Sequence, residues 1–412
     1  MNSIPISKSI HLAWRNIGRN PRRSLLTLLV ISVGTASLLL AHGFILGTEQ
    51  LMIKMSTELF AGQAQIHHPE FKDNAEIEFT VPNLSKTISA IESDPNIDGY
   101  SKRVLVSGMI ASAHDSIVIQ VYGVDFANEP KVSRLKRAIS SGKYPSNSME
   151  RPIVLGYKVA EQLQVSLGDK VVITSAEAFS GELSQDMFRV AALTNFHSRP
   201  MDNGVGFIKI QSAQKLLKLK DEVHQVSLHF KTIDLAANKD LDIRRTLEQY
   251  GVLAEGWDEL FPSLTAMMEM NKVSISIIIA ILFALISLSI LNTTFMSIFE
   301  RMFEFGVLKA LGTKSFSLGL MVVLECFFIG LLGVILGIIT GGGLVFWFNY
   351  RGIVFSDFEY NGMSMVEPIK TIISIDQFTT LPLLMLFMCV IASIYPAFHA
   401  AGISPSQAMS KK

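Results

Sequence analysis

The stretch MNKVSISIIIAILFALISLSILNTTFMSIFERMFEFGVLKALG, residues 270–312, decides how the rest of the chain is interpreted. Its first part is an apolar run long enough for a helix that crosses a bilayer, which needs about 20 residues. It ends in the short charged segment ERMFEFGVLKALG, which directly precedes another apolar run. The pattern predicts a spanning helix followed by an amphipathic element, an arrangement that can carry force between two compartments.

The composition indicates a membrane protein. Of the 412 residues, 49% are hydrophobic and 17% are charged, and the mean hydropathy is +0.37, whereas a soluble domain carries about 25% charged residues. Basic and acidic residues number 36 each, and no basic stripe with interleaved aromatics suggests nucleic-acid binding. Cys326 and Cys389 both lie in apolar runs, so we expect small buried side chains and no disulfide framework outside the membrane.

Four apolar runs approach the length of a spanning helix. They occupy residues 24–47, 271–298, 318–348 and 378–399. Basic residues cluster in 1–23, in 299–317 and in the tail at 400–412, so the positive-inside rule places both termini and the 299–317 segment in the cytoplasm. Residues 48–270 and the loop 349–377 then lie outside. Residues 1–23 are expected to form an interfacial helix or a plain basic stop at the membrane surface.

Residues 48–270 have the pattern of a folded α+β domain. Strand-like and helix-like runs alternate in its first and last parts, and the middle is richer in strands. We therefore predict a β-rich subdomain, about residues 100–222, inserted into the outer part of the domain. In the last part, DLAANKDLDIRRTLEQYG, residues 234–251, predicts one helix that Gly251 ends.

No motif in the chain predicts catalysis, a bound cofactor or a metal. It has no G-x-x-x-x-G-K-[ST] loop, no H-E-x-x-H and no G-x-S-x-G. His67 and His68 are adjacent, and neighbouring strand residues point to opposite faces, so the pair suits one metal poorly. We expect a surface or turn role for it and no enzymatic activity on this chain.

Two features of the third apolar run suggest helix packing. Glu325 is an ionisable group within the run, which is either a structural carboxylate bonded to a neighbouring helix or a group that carries protons or contacts cargo. The glycines that follow share one helix face and allow close backbone approach to a helix of this chain or of a second copy. They are Gly330, Gly333, Gly337 and Gly341.

Apolar side chains continue beyond the outer ends of the first two spans at helical spacing, so both helices look like stalks. The stalks either pack against the base of the domain or face each other across a cleft open to lipid. The cleft residues predicted on this pattern are Phe44, Leu51, Met55, Leu59, Leu264, Met267, Met268 and Ile275.

The segment after the second span is either an ordinary charged loop or a docking site for a soluble partner. Glu300 and Glu304 lie one helical turn apart, with Arg301 beside them and Lys309 beyond Phe305. Two like charges at this spacing do not compensate each other, so the segment is expected to find its counter-charges elsewhere.

At this point the chain resembles the permeases of the MacB/FtsX/LolC–LolE family of ABC transporters. The resemblance covers nearly the whole chain and is carried by LAWRNIGRNPRRSLLTLLVISVG, PIVLGYKVAEQLQVSLGDKVVI, NTTFMSIFERMFEFGVLKALGTK, ECFFIGLLGVILGIITGG and YPAFHAAGISPSQAM. It implies a bacterial inner-membrane permease with its large domain in the periplasm. It also implies a dimer, with a second copy or a paralogue, working with two separate ATP-binding subunits that hold ATP and Mg²⁺.

The resemblance further implies that the 299–317 segment sits in a groove of the ATPase and relays its closure along the second span, without a channel opening. The coupling residues that it identifies are Glu300, Arg301, Glu304, Phe305, Gly306, Lys309, Leu311 and Gly312. Four spans, a large external domain and no fused ATPase are most similar to lipoprotein-releasing permeases, which pass lipoproteins to a periplasmic carrier. Efflux of peptides, toxins or antibiotics, as in the MacB type, and regulation of a cell-wall hydrolase, as in the FtsX type, are the alternatives.

Overall fold

The computed structural model describes residues 13, 15–16, 18–19, 21–71, 76–146, 148–354, 359–360, 362–364 and 367–404. Most of the segment 1–23, for which an interfacial helix is predicted, and most of the tail lie outside these residues. The chain divides into two compact units. We call residues 1–49, 268–354 and 368–412 the helical unit, and residues 50–267 and 355–367 the sheet unit.

The helices, in chain order, are α1 Pro21–Ser56, α2 Leu84–Ser93, α3 Tyr157–Gln162, α4 Arg199–Gly204, α5 Ile210–Leu217, α6 Ile233–Ala237, α7 Asp242–Gln249, α8 Trp257–Leu260, α9 Pro262–Glu300, α10 Met302–Ala310, α11 Ser315–Arg351 and α12 Ile375–Gly402. A π-helical turn, Thr57–Ala61, follows α1, and a 3₁₀ turn spans Glu129–Lys131. In the described chain α1, α9, α11 and α12 are long and apolar enough to cross a membrane. Each predicted span lies inside one of them.

Helices α1, α11 and α12 pack closely because glycines on α11 remove the side chains between them. A Cβ atom added at Gly333, Gly337 or Gly341 would lie 2.8, 2.5 or 2.7 Å from an atom of α1, well inside ordinary van der Waals contact. At Gly330 the added atom would meet Cys389 of α12 at 3.0 Å. Three of the four glycines therefore face α1 of the same chain, and Gly330 faces α12. Both cysteines are free and buried, as predicted.

The sheet unit is built on one mixed sheet. Its strands are β1 Ala64–His67, β2 Ile97–Ala111, β3 Ser116–Val124, β4 Ile139–Gly142, β5 Pro152–Gly156, β6 Lys170–Ala176, β7 Leu183–Thr194, β8 Val205–Lys209, β9 Gln225–Phe230 and β10 Leu253–Gly256. They follow the order β10-β1-β9-β2-β3-β8-β5-β7-β4, and β6 pairs with β2 and β7. A separate hairpin joins β11 Glu359–Tyr360 to β12 Met363–Ser364.

The long strand β2 joins the outer and middle parts of this domain. Its first half pairs with β9, and its second half pairs with β3 and β6. Strands from residues 64–67 and 225–256 therefore share one hydrogen-bonded sheet with strands from 116–209. The inserted subdomain at about 100–222 stays a prediction, since the strands on both sides of its boundary belong to this sheet.

Two local expectations for this domain are wrong. The helix predicted over 234–251 is interrupted, because Asn238 adopts an extended conformation that ends α6, and α7 begins only at Asp242. His67 is not a surface residue but is buried, with its Nε2 atom 2.9 Å from Oε2 of Glu255. His68 stacks on Phe79 instead, at 4.9 Å between ring centroids.

A fully buried ion pair supports the end of the first stalk. Arg103 donates hydrogen bonds to both carboxylate oxygens of Glu129, at 3.2 and 2.6 Å, and both side chains have 0% exposure. Ser101 and Ser133 also donate to this carboxylate, so its lone pairs are satisfied as a buried charge requires. The Arg103 guanidinium lies 3.8 Å from the ring centre of Phe60, within the π-helical turn.

Candidate functional site

Two arginines at the start of α1 hold the end of α9 and the start of α10, since Arg19 precedes α1 and Arg23 lies in its first turn. Nη1 and Nη2 of Arg19 donate to the two carboxylate oxygens of Glu304 at 3.0 and 2.8 Å. In the same way Arg23 donates to Glu300 at 3.2 and 2.8 Å. The hydrogen bonds from Arg19 hold the pKa of Glu304 below its usual range. The two acidic residues that looked uncompensated are thus each paired with an arginine.

Sequence reasoning missed these pairs, although a signal for them exists. Arg19 and Arg23 have the same four-residue spacing as Glu300 and Glu304. The structure pairs them in antiparallel order, the first arginine with the second glutamate. Bidentate contacts of this kind match the planar guanidinium to the carboxylate and so define a geometry as well as a charge balance.

A second polar contact joins α10 to α11. Nη1 of Arg301 donates to Glu325 at 3.1 Å, and its Nε lies 3.4 Å from Glu304. Glu325 is thus bonded to a neighbouring element, the contact that the structural interpretation of the sequence expects. Nearby, the hydroxyls of Thr27 and Thr293 lie 2.7 Å apart and join α1 to α9. Arg19, Arg301 and Glu325 contribute to the lining of a small cavity of about 80 Å³.

The far end of α10 is bonded to the end of α12. Nζ of Lys309 donates to the carbonyl oxygens of Ala401 and Ile403, both at 2.7 Å, which satisfies acceptors that a helix C-terminus leaves open. Gly312 has a φ of +92° and ends α10 in the left-handed region. Between these anchors Phe305 and Gly306 are buried, Phe305 in a cluster with Leu318, Met321 and Ala397.

The opposite side of this element is apolar and open. Phe299, Phe303, Val307 and Leu311 are spaced four residues apart, and all four are exposed, Leu311 to 79%. We call these four side chains the outer strip. Of the predicted coupling residues only Leu311 belongs to it, because Glu300, Arg301, Glu304 and Lys309 form bonds within the unit and Phe305 and Gly306 are buried. The element can therefore offer a partner a hydrophobic edge on a well-anchored helix.

The predicted cleft residues divide between the two units. In the helical unit Phe44 is half-buried and contacts Phe348, with ring centroids 5.2 Å apart, and Met268 and Ile275 are half-buried. In the sheet unit Leu51 is buried, and Met55 and Met267 are half-buried. Within that unit Leu59 and Leu264 come together at one cavity of about 410 Å³, which Leu51, Met55 and Met267 do not line.

Four apolar helices and a mixed α/β unit placed between the first two of them define a polytopic membrane protein with a folded domain outside the bilayer. Two family models match the chain. The MacB-like periplasmic core domain matches residues 24–248, and the FtsX-like permease C-terminal domain matches residues 276–405. The chain therefore belongs to the family of ABC transporter permeases that contains the MacB, FtsX and LolC–LolE proteins.

Curated relatives agree with this assignment. The lipoprotein-releasing system transmembrane protein LolC of Xylella fastidiosa is 22% identical over 329 residues, which cover 77% of this chain and 78% of LolC. LolE of Haemophilus influenzae is 21% identical and covers 80% of each chain. The macrolide export ATP-binding/permease protein MacB of Campylobacter jejuni is 21% identical and covers 97% of this chain but 61% of MacB.

Two solved structures resemble about half of the chain weakly. The extracellular domain of the noncanonical ABC-type transporter YknZ is 12% identical, covers 47% of this chain and has a TM-score of 0.33. The periplasmic region of MacB from Actinobacillus actinomycetemcomitans is 9% identical, covers 50% and has a TM-score of 0.34. The family assignment rests on the family models and not on these scores.

Proposed function

We propose that this chain is the permease of an ATP-driven transporter that extracts lipoproteins from the inner membrane and passes them to a periplasmic carrier. One observation on α10 carries the coupling part of the proposal. Its charged side chains form bonds within the helical unit, while the outer strip remains exposed. The lipoprotein part is supported by relatives named for lipoprotein release, which cover more than three quarters of this chain.

In this proposal the outer strip docks into a groove of a separate ATP-binding subunit, which holds ATP and Mg²⁺. Closure of two such subunits displaces α10, and α9, a helix of 39 residues, relays the movement. A second copy of the chain or a paralogue completes the assembly in the inner membrane, with both termini in the cytoplasm. Glu300, Arg301, Glu304, Lys309 and Gly312 act as positioning residues for the outer strip.

The chemistry of the cargo explains why ATP is needed. Each acyl CH₂ group contributes roughly 0.8 kcal/mol to membrane attachment, so an anchor with several chains does not leave the bilayer at a useful rate on its own. A machine that lifts the anchor must supply free energy of that order. The half-buried cleft residues that do not line the sheet-unit cavity offer the chains an apolar surface during the transfer, and the methionines among them adapt to flexible chains. They are Phe44, Met55, Met267, Met268 and Ile275.

Release of a lipoprotein from membranes tests the proposal. The complete complex, permease with ATPase, is isolated in nanodiscs, and co-purifying proteins and lipids are identified by mass spectrometry before and after ATP is added. We expect an acylated protein that is bound without ATP and is lost with ATP. Recovery of a soluble peptide or drug-like compound with a periplasmic adaptor would support MacB-type efflux instead. A tightly bound hydrolase and no cargo would support a regulatory permease.

A further inference from the structure

We propose that the 410 Å³ cavity of the sheet unit binds a short, uncharged, extended stretch of polypeptide. It is formed where the π-helical turn after α1 meets Tyr122 of β3, the start of α4 and the start of α9. The proposal rests on the proposed function only for the source of the peptide, which would be the chain that follows the lipid anchor of the cargo. The site itself follows from the side chains that line it.

One wall of the cavity is apolar and well supported. Phe60 lies between the Arg103 guanidinium, 3.8 Å from its ring centre, and the ring of Tyr122, at 4.6 Å between centroids. The ring of Phe207 also contacts the ring of Phe60, with 5.1 Å between the centroids. Because the Arg103–Glu129 pair behind it is fully buried and fully hydrogen-bonded, this wall is fixed before any ligand arrives. Leu59, Met201 and Leu264 add the remaining apolar surface.

The other side of the cavity holds polar groups that have nothing to bind. Gln225 is 6% exposed, Ser198 2% and Ser56 9%, and all three line the cavity. Within the described residues, the Gln225 amide and the two serine hydroxyls have no hydrogen-bond partner, and neither does the hydroxyl of Tyr122. None of these atoms is among the fully buried unpaired atoms of the described chain, so water in the cavity reaches them, and a ligand that displaces this water must pair with them or lose about 1–3 kcal/mol per group. Their convergence on one space indicates a ligand that pairs with them.

The lining selects the class of that ligand. Among the residues that the structure describes, none that lines the cavity is charged, so a charged group entering it would lose its hydration without gaining a partner from them. An acyl chain is also a poor occupant, because it would leave the amide and the hydroxyls unsatisfied. A peptide backbone offers donors and acceptors to the polar side and small side chains to the apolar side. The volume lies within the range of about 300–1,000 Å³ usual for ligand pockets, which suits a short segment.

Calorimetric titration of the full chain in nanodiscs, without ATPase, tests the site. The probe is an eight-residue peptide of Ser, Ala, Asn and Gln, acetylated at its N-terminus and amidated at its C-terminus. We expect saturable binding, and at least tenfold weaker binding for peptides with Lys or Asp at the two central positions. Gln225→Leu should weaken binding roughly three- to tenfold, the effect of one lost hydrogen bond. Gln185→Leu, the same change at an exposed strand position, should leave it unchanged.

A second variant tests the site without changing the buried Gln225, whose substitution can disturb folding. Ser263 is exposed at the rim of the cavity, so Ser263→Trp should block the cavity without disturbing the core and abolish peptide binding. Peptide binding that is unchanged in both variants, no peptide binding at all, or displacement of the peptide by palmitate would overturn the proposal. ATP-driven lipoprotein release without peptide binding would refute this site alone, and peptide binding by a chain that releases no lipoprotein would refute the transport proposal alone.

Discussion

Arg19 and Glu304 are 285 positions apart in the sequence, yet two hydrogen bonds of 3.0 and 2.8 Å join them. Both side chains are about half exposed, and exposed ion pairs contribute little to stability, about 0–1 kcal/mol. The bidentate geometry is therefore more important for where α10 is held than for whether the unit folds. Loss of this pair should change coupling before it changes stability.

Reversing the charges of the pair tests this separation. Arg19→Glu and Glu304→Arg should each lower ATP-driven cargo release about tenfold, because α10 loses one of its anchors, while the melting temperature stays within a few degrees. The double variant restores opposite charges and should recover most of the activity. Release is measured in proteoliposomes with the ATPase. Arg22→Glu is the matched control, since Arg22 forms no ion pair within the described chain. Full activity in both single variants would show that the Arg19–Glu304 pair does not anchor α10.

The outer strip should provide the contact with the ATPase. Leu311→Asp places a charge at its most exposed position and should weaken ATPase binding at least tenfold, since a truncated anchor at an interface costs more than about 1 kcal/mol. Binding is measured by titrating the purified ATPase onto the permease in nanodiscs. Val118→Asp, at an exposed apolar position of β3, should bind normally. Unaltered affinity in the Leu311 variant would show that the ATPase docks at a different surface.

The close contact between α11 and α1 makes a specific prediction for Gly337. A methyl group there would lie 2.5 Å from Cβ of Thr35, and overpacking of this kind costs about 1–3 kcal/mol. Gly337→Ala should therefore lower the melting temperature of the full chain in detergent by several degrees. Thr35→Gly in the same chain should restore part of the loss. Gly343→Ala, where the added atom meets nothing within 4 Å, is the control and should melt like the wild type.

The buried ion pair of the sheet unit predicts strongly non-additive effects. Arg103→Met leaves the Glu129 carboxylate buried and uncompensated, which should cost about 3–5 kcal/mol. The double variant with Glu129→Leu should be clearly more stable than the single one. Urea unfolding of the full chain is followed by the fluorescence of Trp257, in a background where the other tryptophans are Phe. Arg151→Met, which breaks a more exposed pair with Asp186, should cost less than about 1 kcal/mol.

His224 should make the sheet unit sensitive to acid. Its Nδ1 accepts from the backbone N–H of Leu105 at 2.8 Å and its Nε2 donates to the Ile77 carbonyl, and burial lowers its pKa. A lowered pKa means that its contribution to stability is complete above the unfolded value of about 6.5 and is lost as the pH falls below it. Between pH 7.5 and 5.5 the melting temperature should fall less for His224→Gln than for the wild type. His114→Gln, at an exposed turn, should behave as the wild type does.

The sequence predicted well what depends on periodicity. The four spans, the shared face of the glycines and the burial of both cysteines follow from spacing and hydropathy, which the structure reproduces. The partner of the glycine face stayed open, because helical periodicity shows which face packs and not which helix it meets. The contact between Glu325 and Arg301 agrees with the expectation that a charge within an apolar run needs a partner.

What remained hidden depends on contacts between distant segments. Nothing local shows that Arg19 and Arg23 reach Glu300 and Glu304, so the acidic residues looked free to meet a partner. Phe305 was assigned to the contact surface because the whole segment matches the family pattern, whereas its burial follows from packing on Leu318 and Ala397. The unpartnered groups around Gln225 come from four separate elements, and no sequence spacing brings them together.

The glycine face of α11 has a consequence for biosynthesis. Ile31, Thr35 and Ala36 of α1 emerge about 300 residues before the glycines that they contact, so at roughly 5–20 residues per second α1 waits some 15–60 s in the membrane for its partner. During this time residues 50–267, the larger part of the sheet unit, are made. A nascent chain arrested before Gly333 should therefore expose α1 to whichever membrane chaperone or lipid lies beside it.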